Sequence, residues 1–108
     1  MPKITSLPAD ISLKKLQEYV WQINIERGFN TEDPSKKLVI LMEEVGELAK
    51  AIRKSVGMKF TDTTKRTELA EELADVQIVL LGLASLTGID MHDAIVVKEE
   101  KNRKRVWK

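Results

Sequence analysis

Apolar residues recur along the chain at alternating spacings of three and four, the period of a helix with one buried side, in four separate runs. The first run, Leu13, Leu16, Val20 and Ile23, follows Ser12 as a helix cap and stops at Gly28. Before it, Pro2 and Pro8 predict an extended segment over residues 1–11. Residues 29–35 hold Asn30, Asp33 and Pro34, which suit a turn and then the first turn of a second helix. That helix carries Leu38, Leu41, Val45, Leu48, Ile52 and Val56, with Gly57 where its C-terminal cap belongs. A polar linker from Met58 to Thr64 leads to a third run, Leu69, Leu73, Val76, Leu80 and Leu83, ending near Gly88. Past Asp75 this helix is apolar on almost every side, through Ile78, Val79, Leu80, Leu81, Leu83 and Leu86, which predicts burial against several neighbours, a partner subunit among them. Gly82 in that run costs about 1 kcal/mol relative to Ala in a helix, which points to close packing of another helix there. Asp90 and Asp93 open a fourth helix that runs into the basic tail around Arg105. The expected fold is all-α with four helices.

Composition narrows this picture. With 108 residues the chain suits one domain, residues 1–108, with one modest core. Its 18 Lys and Arg against 17 Asp and Glu give a net charge of +1, so no overall field favours nucleic acid or a membrane surface. The absence of Cys excludes disulfides, thiolate catalysis and thiolate-bound zinc. Met1–Asp10 has no apolar core of a signal peptide, and no stretch reaches the roughly 20 apolar residues of a membrane span. A cytoplasmic protein is expected.

The candidate chemistry is carboxylate. Helix two carries Glu43, Glu44 and Glu47 in the string EEVGE, and helix three carries Glu72 and Asp75 in ELAD. At about 100° per residue, Glu44 and Glu47 lie about 60° apart with Ile40 and Ala51 projecting between them, and Glu72 and Asp75 flank Val79 in the same way. A solvated face with ion pairs, such as Glu47 with Lys50 or Lys54, is the plainer account of one such pair. Two matching pairs within apolar arcs argue against it. If the helices pack antiparallel, four carboxylates converge where like charges repel unless cations neutralise them. All-oxygen donors suit Mg2+, or Mn2+ in its place, with substrate phosphates completing the coordination. Glu43 points about 100° away from Glu44 and ranks behind the other four.

On helix four, Lys98, Asn102 and Arg105 are spaced by four and three and share one face. Alone, this basic run is explained by the helix dipole, with Lys101, Arg103, Lys104 and Lys108 alongside. Beside a carboxylate metal site it gains a second meaning, because a triphosphate needs cationic groups as well as metal.

The string EEVGELAKAIRK followed by EELADV resembles the MazG-like nucleotide pyrophosphohydrolases, marked by EExxE and a later ExxD. KEEKNRKR is similar to the third element of that family, and ERGF to its ERGW, so the likeness covers roughly Leu16 to Arg105. The resemblance implies an all-α fold with helices packed across a dimer interface, in a homodimer or homotetramer. It also implies Mg2+-dependent hydrolysis of a nucleoside triphosphate to the monophosphate and pyrophosphate. Carried onto this chain, Glu44, Glu47, Glu72 and Asp75 become catalytic metal ligands, and Lys98, Asn102 and Arg105 contacts to the substrate phosphates. Relatives that prefer dCTP have a His just before the Pro of helix two and an aromatic residue late in it. Asp33 and Lys54 stand there in this chain, so the resemblance leaves the nucleobase open. Tyr19, Trp21 and Phe29 fit core or interface positions better than base stacking, Trp107 a tail or interface, and His92 the surface of helix four.

Two other readings compete. A di-iron carboxylate bundle also gathers glutamates among four helices but adds Glu-x-x-His pairs, and the sequence has none. A non-catalytic helical module docking its basic tail on nucleic acid or another acidic partner explains Lys98–Lys108 but not the paired acids.

Overall fold

Local signals set three of the four helix starts. Ser12 Oγ accepts from the Lys15 N–H at 3.1 Å and starts α1, Leu13–Glu26. Asp33 Oδ1 accepts from the Ser35 N–H at 3.0 Å, and Pro34 opens α2, Pro34–Ser55. Asp90 Oδ1 accepts from the Asp93 N–H at 2.9 Å and caps α4, Met91–Lys104. The third helix, α3, spans Thr63–Leu86. The computed structural model describes residues 7–56 and 63–105 and, among them, helices without strands. Gly57, most of the Met58–Thr64 linker, residues 1–6 and Trp107 lie outside the described residues.

Two helices end alike. Gly28 and Gly88 take φ of +75° and +73°, where a side chain would be strained. The next residue then donates back five positions, Phe29 N–H to the Asn24 carbonyl at 2.7 Å and Ile89 N–H to the Ala84 carbonyl at 2.8 Å. The segment before α1 is not extended throughout: a turn at Ala9 and Asp10 lets the Ile11 N–H reach the Pro8 carbonyl at 3.1 Å.

The principal packing joins α2 to α3, with α1 against α3 and α4 against α1. Lys37 lies beside Gly82, and Glu47, Lys50, Ala51 and Lys54 share a cleft with Glu68 and Glu72, so α2 and α3 run antiparallel. At Gly82 all three helices come together: a methyl group there would stand 2.9 Å from Asn24 Nδ2 and 3.2 Å from Lys37 Cε. On α1 the buried side is partly polar. Gln17 donates from Nε2 to Ser85 Oγ at 3.0 Å and to the Ile89 carbonyl at 2.8 Å, and its Oε1 accepts from the Met91 N–H at 2.9 Å. One buried amide thus ties α1 to the end of α3 and the start of α4.

Two apolar faces are only partly covered within the chain. On α3, Leu81 is fully buried, but Leu73 and Ile78 are exposed, so the chain does not cover this helix on every side. The α2 stripe also divides. Leu41 and Leu48 are half-buried toward α3, whereas Leu38, Val45, Ile52 and Val56 join Met42 in an exposed row, with Met42 at 60 % exposure. At about 100° per residue the six apolar positions lie within about 80° of arc, with Leu41 and Leu48 at the edge next to Lys37 and Glu44, which face α3, so the seam covers that edge and leaves the rest open.

Candidate metal and nucleotide site

The carboxylates meet in the α2–α3 seam. One oxygen each from Glu44, Glu72 and Asp75 lies within 4.8 Å of the others, with Glu44 and Glu72 half-buried and Asp75 exposed. Antiparallel packing of two helices with i, i+3 acids produces this arrangement, and half-buried Ile40, Ala51 and Val79 frame it. Glu47 does not enter that triad. It stands in the adjoining cleft, about 160 Å³, with Lys50, Ala51, Lys54, Glu68 and Glu72. Among the described residues, none of Glu44, Glu47, Glu72 and Asp75 takes part in an ion pair, so the i, i+3 pairing of Glu47 with Lys50 is not formed.

Electrostatics follow from this crowding. Partial desolvation, then the charges of Asp75, Glu47, Glu44 and Glu71, push the Glu72 carboxyl above its usual range. Such a cluster of hard oxygen donors, without an ion pair among the described residues, has the donor chemistry for a divalent cation.

The basic face of helix four stands elsewhere in the packing. Lys98 is exposed and Asn102 half-buried, on a helix that packs chiefly on α1. Arg105 follows the last helical residue, with φ −77° and ψ 143°, and its N–H reaches the Asn102 carbonyl at 3.1 Å. The helix therefore ends one residue before the spacing argument needs it to. None of the three belongs to the carboxylate triad.

A second acidic group, Asp90, His92 and Asp93, has a different occupant. Lys14 Nζ lies 3.2 Å from Asp90 and 2.8 Å from Asp93, and His92 Nδ1 lies 3.1 Å from Asp93. Lys14 lowers the Asp93 carboxyl, and the Asp93 N–H, then Lys14, lower that of Asp90, as expected of acids partnered by a cation and a helix start.

The family model for the MazG nucleotide pyrophosphohydrolase domain matches residues 32–107. The chain belongs to this family. It is a nucleotide pyrophosphohydrolase by that membership, and the matched span holds every acid of the seam. The chain is 34% identical over 105 residues to dCTP pyrophosphatase 1 of Bos taurus, covering 93% of this chain and 62% of the bovine protein. It is 29% identical over 102 residues to the uncharacterized protein YvdC of Bacillus subtilis (strain 168), covering 88% of this chain and 96% of YvdC. A dATP/dGTP diphosphohydrolase of cyanophage S-2L is 35% identical over 74 residues, 68% of this chain and 58% of that protein. Among the described residues, no single helix is long and apolar enough to cross a membrane.

Sequence reasoning passed over two parts of this region. Lys50 figured only as an ion-pair partner, and Lys54 as that and as a departure from dCTP-preferring relatives, yet both line the cleft beside Glu72. Lys37 was not singled out, although it stands seven residues before Glu44 and so on the same arc of α2; a charged residue within that inward arc was the available signal.

Proposed function

We propose that the chain hydrolyses a nucleoside or deoxynucleoside triphosphate to the monophosphate and pyrophosphate, as a single domain, with Mg2+ held by Glu44, Glu47, Glu72 and Asp75. The observation that carries this reading is the convergence of Glu44, Glu72 and Asp75 within 4.8 Å, with no ion pair to neutralise them among the described residues. Mn2+ can replace Mg2+ in an all-oxygen site of this kind. When bound, the metal supplies charge neutralisation at the phosphates and a bound water of lowered pKa. The chain's own groups do the rest. The half-buried Glu44 and Glu72 orient their oxygens toward one point, and Glu47 extends the acidic surface toward Lys50 and Lys54. Lys98, Asn102 and Arg105 bind the substrate phosphates, lysine as a point charge and arginine as a planar fork.

The same reading includes a homodimer. Leu38, Met42, Val45, Ala49, Ile52 and Val56 follow one another at spacings of four and three and are all exposed, a straight apolar seam suited to a second copy of α2.

Incubation with a nucleoside triphosphate and Mg2+ tests the reading. Pyrophosphate and monophosphate in equal amounts, abolished by chelator, are expected; orthophosphate and diphosphate as the products would overturn it.

A further inference from the structure

Two turns along the seam from the carboxylates lies a second polar cluster that the proposed hydrolysis does not use. Lys37 and Asn24 are each only 6 % exposed, and neither side chain has a hydrogen bond among the described residues. The nearest acid to Lys37 Nζ is Glu32 Oε1 at 3.9 Å, and the Phe29 ring centroid is 5.7 Å away. Lys37 thus has an ion-pair and a ring contact but no hydrogen bond, and since no fully buried side-chain N or O is left without a partner among the described residues, the donors of Lys37 and Asn24 are not sealed off from a ligand. Both groups converge on Gly82, where a Cβ would meet Asn24 Nδ2 at 2.9 Å and Lys37 Nζ at 3.6 Å. Glycine therefore keeps two N–H donors together at this point of the seam.

The position is informative. Lys37 precedes Glu44 by seven residues on α2, and Gly82 follows Asp75 by seven on α3, a rise of about 10 Å on each helix. That offset suits the far edge of a nucleobase whose phosphates sit at the carboxylates. Glu32, so close to Lys37, disfavours a phosphate here and supplies an acceptor beside the donors.

We propose that Lys37, with Asn24 and Glu32, selects nucleobases bearing an oxo group on that edge, namely guanine, thymine or uracil; the inference rests on the nucleotide reading above. The donors of Lys37 and Asn24 meet the oxo oxygen, and Glu32 accepts from the ring N–H next to it. Adenine and cytosine present an amino group there, so a donor would face donors and leave the cluster unpaired.

The test compares dGTP, dTTP, dATP and dCTP as substrates of the wild-type chain and of Lys37→Met, with metal-free binding of dGMP and dAMP measured in parallel. The wild type is expected to favour dGTP and dTTP by about ten- to a hundredfold in kcat/KM, and Lys37→Met to collapse that preference. Equal use of all four, or preference for dATP or dCTP, overturns the base assignment while leaving the hydrolase reading intact. An equal loss on every substrate in Lys37→Met also overturns it, by reducing Lys37 to a structural role. If no triphosphate is hydrolysed, the hydrolase reading fails instead. Binding then decides the base assignment: tighter binding of dGMP, lost in Lys37→Met, upholds it, and equal or absent binding overturns it.

Discussion

Glu72 on α3 holds a carboxylate oxygen within 4.8 Å of one from Glu44 on α2, and the charge of Glu44 is among the causes that raise the Glu72 pKa. The sign of the consequence is fixed. A carboxyl raised above its unfolded value supports the fold most fully below the ordinary carboxylate range and loses that contribution as pH rises through the raised value. In chelator near neutral pH, Glu72→Gln should therefore melt at a higher temperature than the wild type. Added Mg2+ should raise the wild-type Tm and leave the variant's nearly unchanged. A lower Tm for Glu72→Gln in chelator would remove the repulsion from the account.

The opposite sign holds at the far end of the molecule. Asp90 and Asp93 are lowered by their partners, and the Lys14 amine is raised. Their contribution is present above the unfolded carboxylate pKa and is lost as pH falls through the lowered folded values. The stability difference between the wild type and Lys14→Met should be visible near neutrality and shrink in strong acid. Denaturant titrations at the two pH values check this, and a difference that grows in acid would contradict it.

Gln17 should matter more than its polarity suggests. Replacing it with Leu leaves the Ile89 carbonyl and the Met91 N–H without their side-chain partner in a partly buried setting. A loss of roughly 1–3 kcal/mol in unfolding free energy is expected. Chemical denaturation measures it, and a loss within about 0.5 kcal/mol, the scale of ordinary surface substitutions, would show that water replaces the amide freely.

What the sequence made legible was mostly local. Caps at Ser12, Asp33 and Asp90 and stops at Gly28 and Gly88 are decided by one residue and its immediate backbone, so they can be read in order along the chain. The triad was legible because i, i+3 acids in apolar arcs have one way to meet in an antiparallel pair. Tertiary placement was not. Period marks an arc, but it does not tell which polar residues share it, and so the burial of Gln17, Asn24 and Lys37 escaped notice. Gly82 read as a point of close packing, and the structure supplies the neighbours, Asn24 and Lys37. The α2 stripe read as one face because spacing alone does not count the neighbours available to cover it.

That exposed row on α2 gives a prediction for assembly. A charge at its centre, Val45→Lys, should convert a dimer to a monomer in sedimentation at low micromolar concentration, because one buried unpaired cation costs several kcal/mol. Wild-type chain that sediments as a monomer would contradict the proposed interface.

The central claim is that the α2–α3 carboxylates hold the metal on which hydrolysis depends. Glu44→Gln and Asp75→Asn, assayed for pyrophosphate release at limiting Mg2+ with Mn2+ binding measured on the same samples, test it most directly. The account predicts that each variant retains its helical content, binds Mn2+ more weakly and loses more than about a hundredfold in turnover. Unimpaired turnover in either variant at limiting Mg2+, with Mn2+ affinity unchanged, would contradict it.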